Sequence, residues 1–106
     1  MANTISILLA DDHALLRGVL AQALDRQPDM EVVGAVGNAQ DAVEEATKTC
    51  PSVVLMDIDM PGLSCFEAAK TIQAHSPDAR VIFLSAFYHD RYIEQALWSQ
   101  NPVGHF

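Results

Sequence analysis

The stretch VVLMDIDMPG, residues 53 to 62, drives four apolar residues straight into Asp57, follows with a second acid at Asp59, and then turns at Pro61 and Gly62. An unbroken apolar run bounded by turn residues reads as a strand covered on both faces, which is the habit of parallel sheets flanked by helices. Pro-Gly marks a sharp reversal of the chain. A buried strand that ends on a carboxylate is costly to build, so the reading of the whole chain turns on what that carboxylate meets.

Working outward, the same grammar recurs. TISILLA (4–10) is a short β-rich run ending at Asp11 and Asp12, and residues 13 to 26 place Leu16, Val19, Leu20, Ala23 and Leu24 on one helical face. VVGAV (32–36) is a strand. Ala39, Ala42, Val43 and Ala46 share a second helical face, with Asn38 as its N-cap and Pro51 as its stop. A third helix over 64–75 opens on Ser64 with Glu67 three residues on, a capping box. RVIFLS (80–85) is the next strand, Asp90 caps a fourth helix through Ile93, Ala96 and Leu97, and PVGHF (102–106) begins a fifth strand. Strict alternation predicts a single α/β domain over 1–106, a doubly wound parallel sheet with helices on both faces.

Composition narrows the functions available. At 106 residues the chain suffices for one domain with a real core. A formal charge of −8 argues against this domain gripping nucleic acid itself. No apolar run is long enough to span a membrane and the first residues lack a signal peptide's basic start, so a cytoplasmic location is expected. Cys50 and Cys65 fit neither a disulfide framework nor a zinc pattern, and the four histidines show no ligand spacing. His13, at the first turn of helix one, is expected to face solvent or cap locally, and Arg17, Arg80 and Arg91 are too scattered to form a phosphate patch. Phe87 and Trp98 read as packing residues near helix four, Met56 and Met60 as core and loop anchor, and Cys65 as half-buried and inert.

Three apolar runs end in polar groups at equivalent points: Asp11 and Asp12 after the first, Asp57 after the third, Ser85 after the fourth. In open α/β sheets, ligands bind beyond the carboxyl ends of the strands where the strand order reverses. If strands one, three and four are neighbours, those groups converge in one crevice. Converging carboxylates repel unless a cation intervenes, and an oxygen donor set selects a hard ion such as Mg²⁺. A carboxylate beside Mg²⁺ is also a nucleophile toward phosphorus, giving an aspartyl phosphate.

ADDH (10–13), MDIDMPG (56–62) and LSAF (84–87) together resemble the receiver domain of bacterial two-component response regulators, over nearly the whole chain. The resemblance implies a flavodoxin-like sheet of strand order 2-1-3-4-5, and that Asp57 accepts a phosphoryl group from a sensor histidine kinase. It implies that Mg²⁺ is held by Asp57, Asp12, the backbone carbonyl of Asp59 and, through water, Asp11. Ser85 matches the switch Ser/Thr, and Ala86, Phe87 and Asp59 would tune access to the phosphoryl group. ADDHALLRGVL is similar to the branch whose receiver precedes a helix-turn-helix domain, which implies a DNA-binding output outside this chain, transcriptional control, and homodimerisation on phosphorylation. The sequence departs from the pattern at its end. His105 occupies the aromatic switch position, the usual lysine would fall just beyond Phe106, and the last helix is missing, so a C-terminally truncated receiver is expected.

Three alternatives carry weaker marks. Apolar residues followed by Asp-x-Asp also open haloacid-dehalogenase-like phosphatases, but those continue with Thr or Val where this chain has Pro61, and they leave Asp11 and Asp12 without a role. A flavin-binding flavodoxin needs backbone amides in its first loop, where ADDHA presents carboxylates. A pseudo-receiver would keep the fold as a docking surface without phosphorylation.

Overall fold

A computed structural model describes residues 4–84 together with Gly104 and His105. The elements follow one another as β1 (Ile5–Ala10), α1 (Ala14–Asp25), β2 (Met30–Val36), α2 (Ala39–Thr49), β3 (Val53–Asp57), α3 (Cys65–His75), β4 (Arg80–Leu84) and β5 (Gly104–His105). All pairings are parallel, as the alternation predicts, and the sheet order is β2-β1-β3-β4-β5, the order that the resemblance implies. The fourth helix with Asp90 and Trp98, the positions Ser85, Ala86 and Phe87, and the side chain of His105 lie outside the described residues.

Period-two alternation divides the sheet into two faces. Leu8, Ala10, Val54, Met56, Val81 and Phe83 join Ala39, Ala42 and Ala46 of α2 and Ala68, Ala69 and Ile72 of α3 in one continuous core. Small alanines on both helices let them lie close to the strands, and Phe66 stacks on Phe83 with centroids 4.9 Å apart. Ile7 and Leu9 point the other way, toward the side on which α1 meets β1 and β2. There the packing is thinner. No residue of α1 is buried, and Leu15, Leu16 and Val19 stand exposed. The periodic face of α1 is therefore present but only partly covered among the described residues.

Local signals explain most boundaries. The Asn38 side chain accepts from the Asp41 backbone N–H at 2.8 Å, and Cys50 closes α2 in a left-handed conformation immediately before Pro51, where a helical residue would clash with the ring. Ser64 caps α3 from one side, accepting from Phe66 N–H at 3.2 Å; the expected bond to Glu67 is not the one formed, because the cap backbone (φ −57°, ψ 134°) brings the second amide of the helix nearest the hydroxyl. β2 begins at Met30, two residues ahead of its apolar core, and a register shift opposite Ile7 and Leu8 leaves Val33 unpaired. Gly34 follows that bulge, where a β-carbon would come within 3.0 Å of Leu8 Cδ1.

Candidate functional site

β1 and β3 are neighbours in the sheet and run in the same direction, so their last residues emerge side by side. Asp11 follows Ala10 at the end of β1, and Asp57 closes β3; both are buried to 1 % exposure. Asp12, Asp59 and His13 are exposed around them. Asp11 Oδ1 accepts the His13 backbone N–H at 2.8 Å, which folds the β1–α1 connection back over the strand end. In the β3–α3 turn, Asp59 N–H donates to Asp57 Oδ1 at 3.0 Å, and Gly62 supplies the positive φ of 89° that carries the chain onward to α3.

The two oxygens of Asp57 thus differ. Oδ1 has a donor, whereas Oδ2 is buried and has no hydrogen-bond partner among the described residues. Burial pushes the Asp57 carboxyl above its ordinary range; the Asp59 amide opposes that shift, and the charges of Asp11, Asp12 and Asp59 add to it. An unpartnered carboxylate oxygen in a cluster of acids is an arrangement suited to a cation. The donor atoms of Asp11, Asp12, His13 and Asp57 all lie within 4.8 Å of one another, as a shared ion requires.

His13 adds to the sequence reading. Its side chain is half exposed, as expected, yet Nδ1 also sits 3.1 Å from Asp12 Oδ1, 3.2 Å from Asp11 Oδ1 and 3.9 Å from Asp57 Oδ2. The extended N-cap backbone (φ −86°, ψ 100°) keeps the residue out of the helix, and its side chain makes no cap bond. The pocket is therefore not purely oxygen-lined. Arg17 also reaches the site's rim, donating from Nη1 to the Asp11 carbonyl at 2.7 Å, so its charge supports the β1–α1 connection. Cys65 is fully rather than half buried; burial raises the thiol's pKa and its Sγ lies 3.6 Å from the Ile58 carbonyl, in keeping with an inert role. Met56 is core and Met60 packs against that core from the turn, both as expected.

The family profile described as the response regulator receiver domain matches residues 7–101. The chain belongs to the response regulator receiver family. Its relatives include the protein-glutamate methylesterase/protein-glutamine glutaminase of Thermotoga maritima, 45% identical over 79% of this chain and 24% of that protein. The transcriptional regulatory protein LiaR of Bacillus subtilis is 40% identical over 81% of this chain and 41% of its own length. The receiver thus spans less than half of each of these relatives. Among solved structures, the response regulator domain of T. maritima CheB superposes with a TM-score of 0.80 at 38% identity, covering 97% of this receiver and 76% of that chain. The receiver domain of a putative NarL from Mycobacterium tuberculosis gives 0.80 at 27% identity, over 98% and 82%. The enzymatic name of the Thermotoga relative belongs to a protein matched here in its receiver region alone. No helix among the described residues is long and apolar enough to cross a membrane.

Proposed function

We propose that this receiver accepts a phosphoryl group on Asp57 from the phosphohistidine of a sensor kinase, with Mg²⁺ as cofactor, and relays that state to a transcription-controlling output domain in the cytoplasm. One observation carries the reading: Asp57 Oδ2 is a buried carboxylate oxygen with no donor among the described residues, beside two further acids, at the carboxyl end of a parallel strand. Asp59 N–H fixes Oδ1 and so aims Oδ2 into the pocket as the nucleophile. Attack forms the Oδ2–P bond while the P–N bond breaks, and the bonding pair returns to the kinase imidazole, which takes up a proton.

Asp57, Asp12 and the Asp59 backbone carbonyl would hold Mg²⁺ directly and Asp11 through water; the ion offsets negative charge as the phosphoryl group arrives. Ser85 is the proposed hydroxyl that engages a phosphoryl oxygen and shifts a two-state equilibrium, with His105 in the aromatic switch position and Ala86, Phe87 and Asp59 setting access. This receiver is a phosphoacceptor, not a turnover enzyme. Its acidic charge suits a domain that controls DNA binding without performing it, and dimerisation on phosphorylation is the proposed readout.

The test is incubation with acetyl phosphate, with and without Mg²⁺. The proposal expects a hydroxylamine-sensitive phosphoryl group that needs Mg²⁺ and is lost in Asp57→Asn. An unlabelled wild type would make this a docking receiver. Steady turnover of small phosphate esters, lost in Asp59→Ala, would make it a phosphatase.

A further inference from the structure

We propose that His13 Nδ1 is a nitrogen ligand of the divalent site, giving this receiver a mixed nitrogen–oxygen pocket that favours a transition-metal ion over Mg²⁺ more than an all-oxygen pocket would. The inference deepens the cation-binding part of the function proposed above and rests on it.

The geometry that singles out His13 is the crowding of oxygens around one nitrogen. Nδ1 faces carboxylate oxygens of Asp12, Asp11 and Asp57 at 3.1, 3.2 and 3.9 Å. A ring nitrogen carries at most one hydrogen, so a single N–H serves only one of the three well. The two shorter distances also exceed the roughly 2.7–2.9 Å of a charge-assisted N–H···O⁻ bond. They match a different figure. In an octahedron with metal–ligand bonds of about 2.1 Å, adjacent ligands are about 3.0 Å apart and opposite ones about 4.2 Å. The Nδ1 contact to Asp12, a direct ligand in the function proposed above, has the length of an adjacent edge, and the contact to Asp57 lies between the two spans; Asp11, which acts there through water, stays within hydrogen-bond reach of the same nitrogen. Asp57 Oδ2 is the independent sign that the pocket expects a ligand: a side chain at 1 % exposure with one oxygen unpartnered and aimed inward.

Nothing in the backbone would have to move. The His13 N–H is already tied to Asp11 Oδ1, which fixes the residue at the mouth of the pocket, and half of its side chain remains open to solvent, leaving a path for an ion. Imidazole suits nickel, zinc, copper and iron, whereas Mg²⁺ keeps to oxygen and water, so the added donor changes preference more than it changes Mg²⁺ affinity.

The experiment uses the whole 106-residue chain and three probes: Mg²⁺ and Ni²⁺ by calorimetry, and Mn²⁺ by electron spin-echo spectroscopy, which reads nitrogen bound to the ion directly. The expected result is a ¹⁴N coupling in wild type and in His75→Ala, absent from His13→Ala and His13→Gln. Ni²⁺ affinity should fall at least about tenfold in both His13 variants, the scale on which even ligand-supporting residues act, while Mg²⁺ affinity moves by less than about threefold. Saturable Mn²⁺ binding that Asp57→Ala abolishes, but without nitrogen coupling, overturns the role of His13 and leaves the oxygen site intact. No saturable binding of any of the three ions overturns that site as well, and with it the Mg²⁺-dependent reading.

Discussion

Leu8 and Asp11 stand three residues apart at β1, at 0 % and 1 % exposure, yet burial means opposite things for them. Leu8 lies in a closed apolar core with α2 and α3 around it. Asp11, with Asp57 beside it at the end of β3, is buried as an acid among acids, and Asp57 Oδ2 has no donor among the described residues. The body of the sheet stabilises the fold; its carboxyl edge gathers buried acids, which costs stability. The fold can carry that edge because the strands below it are fully packed.

The sharpest way to break this comparison is to remove packing from the body. Leu8→Ala should cost about 2–5 kcal/mol, read by urea unfolding, since the surrounding alanines and strands cannot collapse onto the space. A cost below about 1 kcal/mol would mean that the core is not closed as described.

The edge should respond next, and in the other direction. An ion that binds only the folded pocket stabilises by mass action, so Mg²⁺ at a hundredfold over its dissociation constant should add about 2.7 kcal/mol. Thermal or urea unfolding with and without Mg²⁺ checks this, and Asp57→Ala should erase the gain.

Without metal, Asp57 should itself be a liability whose size depends on pH. Its native pKa is raised above the ordinary 3.8 by burial, so the folded state holds the proton longer than the unfolded chain does. Below 3.8 the group is neutral in both states and costs nothing by ionisation; stability is lost as pH rises through that value toward the raised native pKa, and stays lost above it. Asp57→Asn should therefore be more stable than wild type at neutral pH, with the advantage shrinking as pH falls toward 4, in metal-free unfolding curves. A stability gain that grows on acidification would reverse the sign and refute the account of the edge.

The smallest effect belongs to the outer face of α1. Leu15 is 83% exposed, so Leu15→Ser should shift stability by no more than about 0.5 kcal/mol in the same assay, against the several lost at Leu8.

The same contrast separates what the sequence revealed from what it hid. The parallel sheet was legible from the alternation of strands and helices, whereas its order, and with it the meeting of Asp11, Asp12 and Asp57, was legible only through the resemblance to receivers. Asn38 was legible as a cap because its bond is local, to Asp41 three residues on. The contacts of the His13 ring with the acids were not, because a histidine at a helix start is usually solvated, and half of this side chain is. A signal was present all the same: His13 is the third polar residue in succession after a strand end that already carried two acids. On α1, periodicity marked Leu16, Val19 and Leu20 as one face, but periodicity cannot say what covers a face. The early start of β2 escaped because an edge strand exposes residues such as Glu31, which breaks the apolar run.

The central claim, that Asp57 is the nucleophile of this edge, is tested most directly by locating the phosphoryl group. Borohydride reduction after acetyl phosphate treatment converts a phosphorylated aspartate to homoserine, and peptide mass spectrometry then reads its position. Homoserine at residue 57 alone is the result expected; homoserine at residue 11, 12 or 59 with residue 57 unmodified would contradict it.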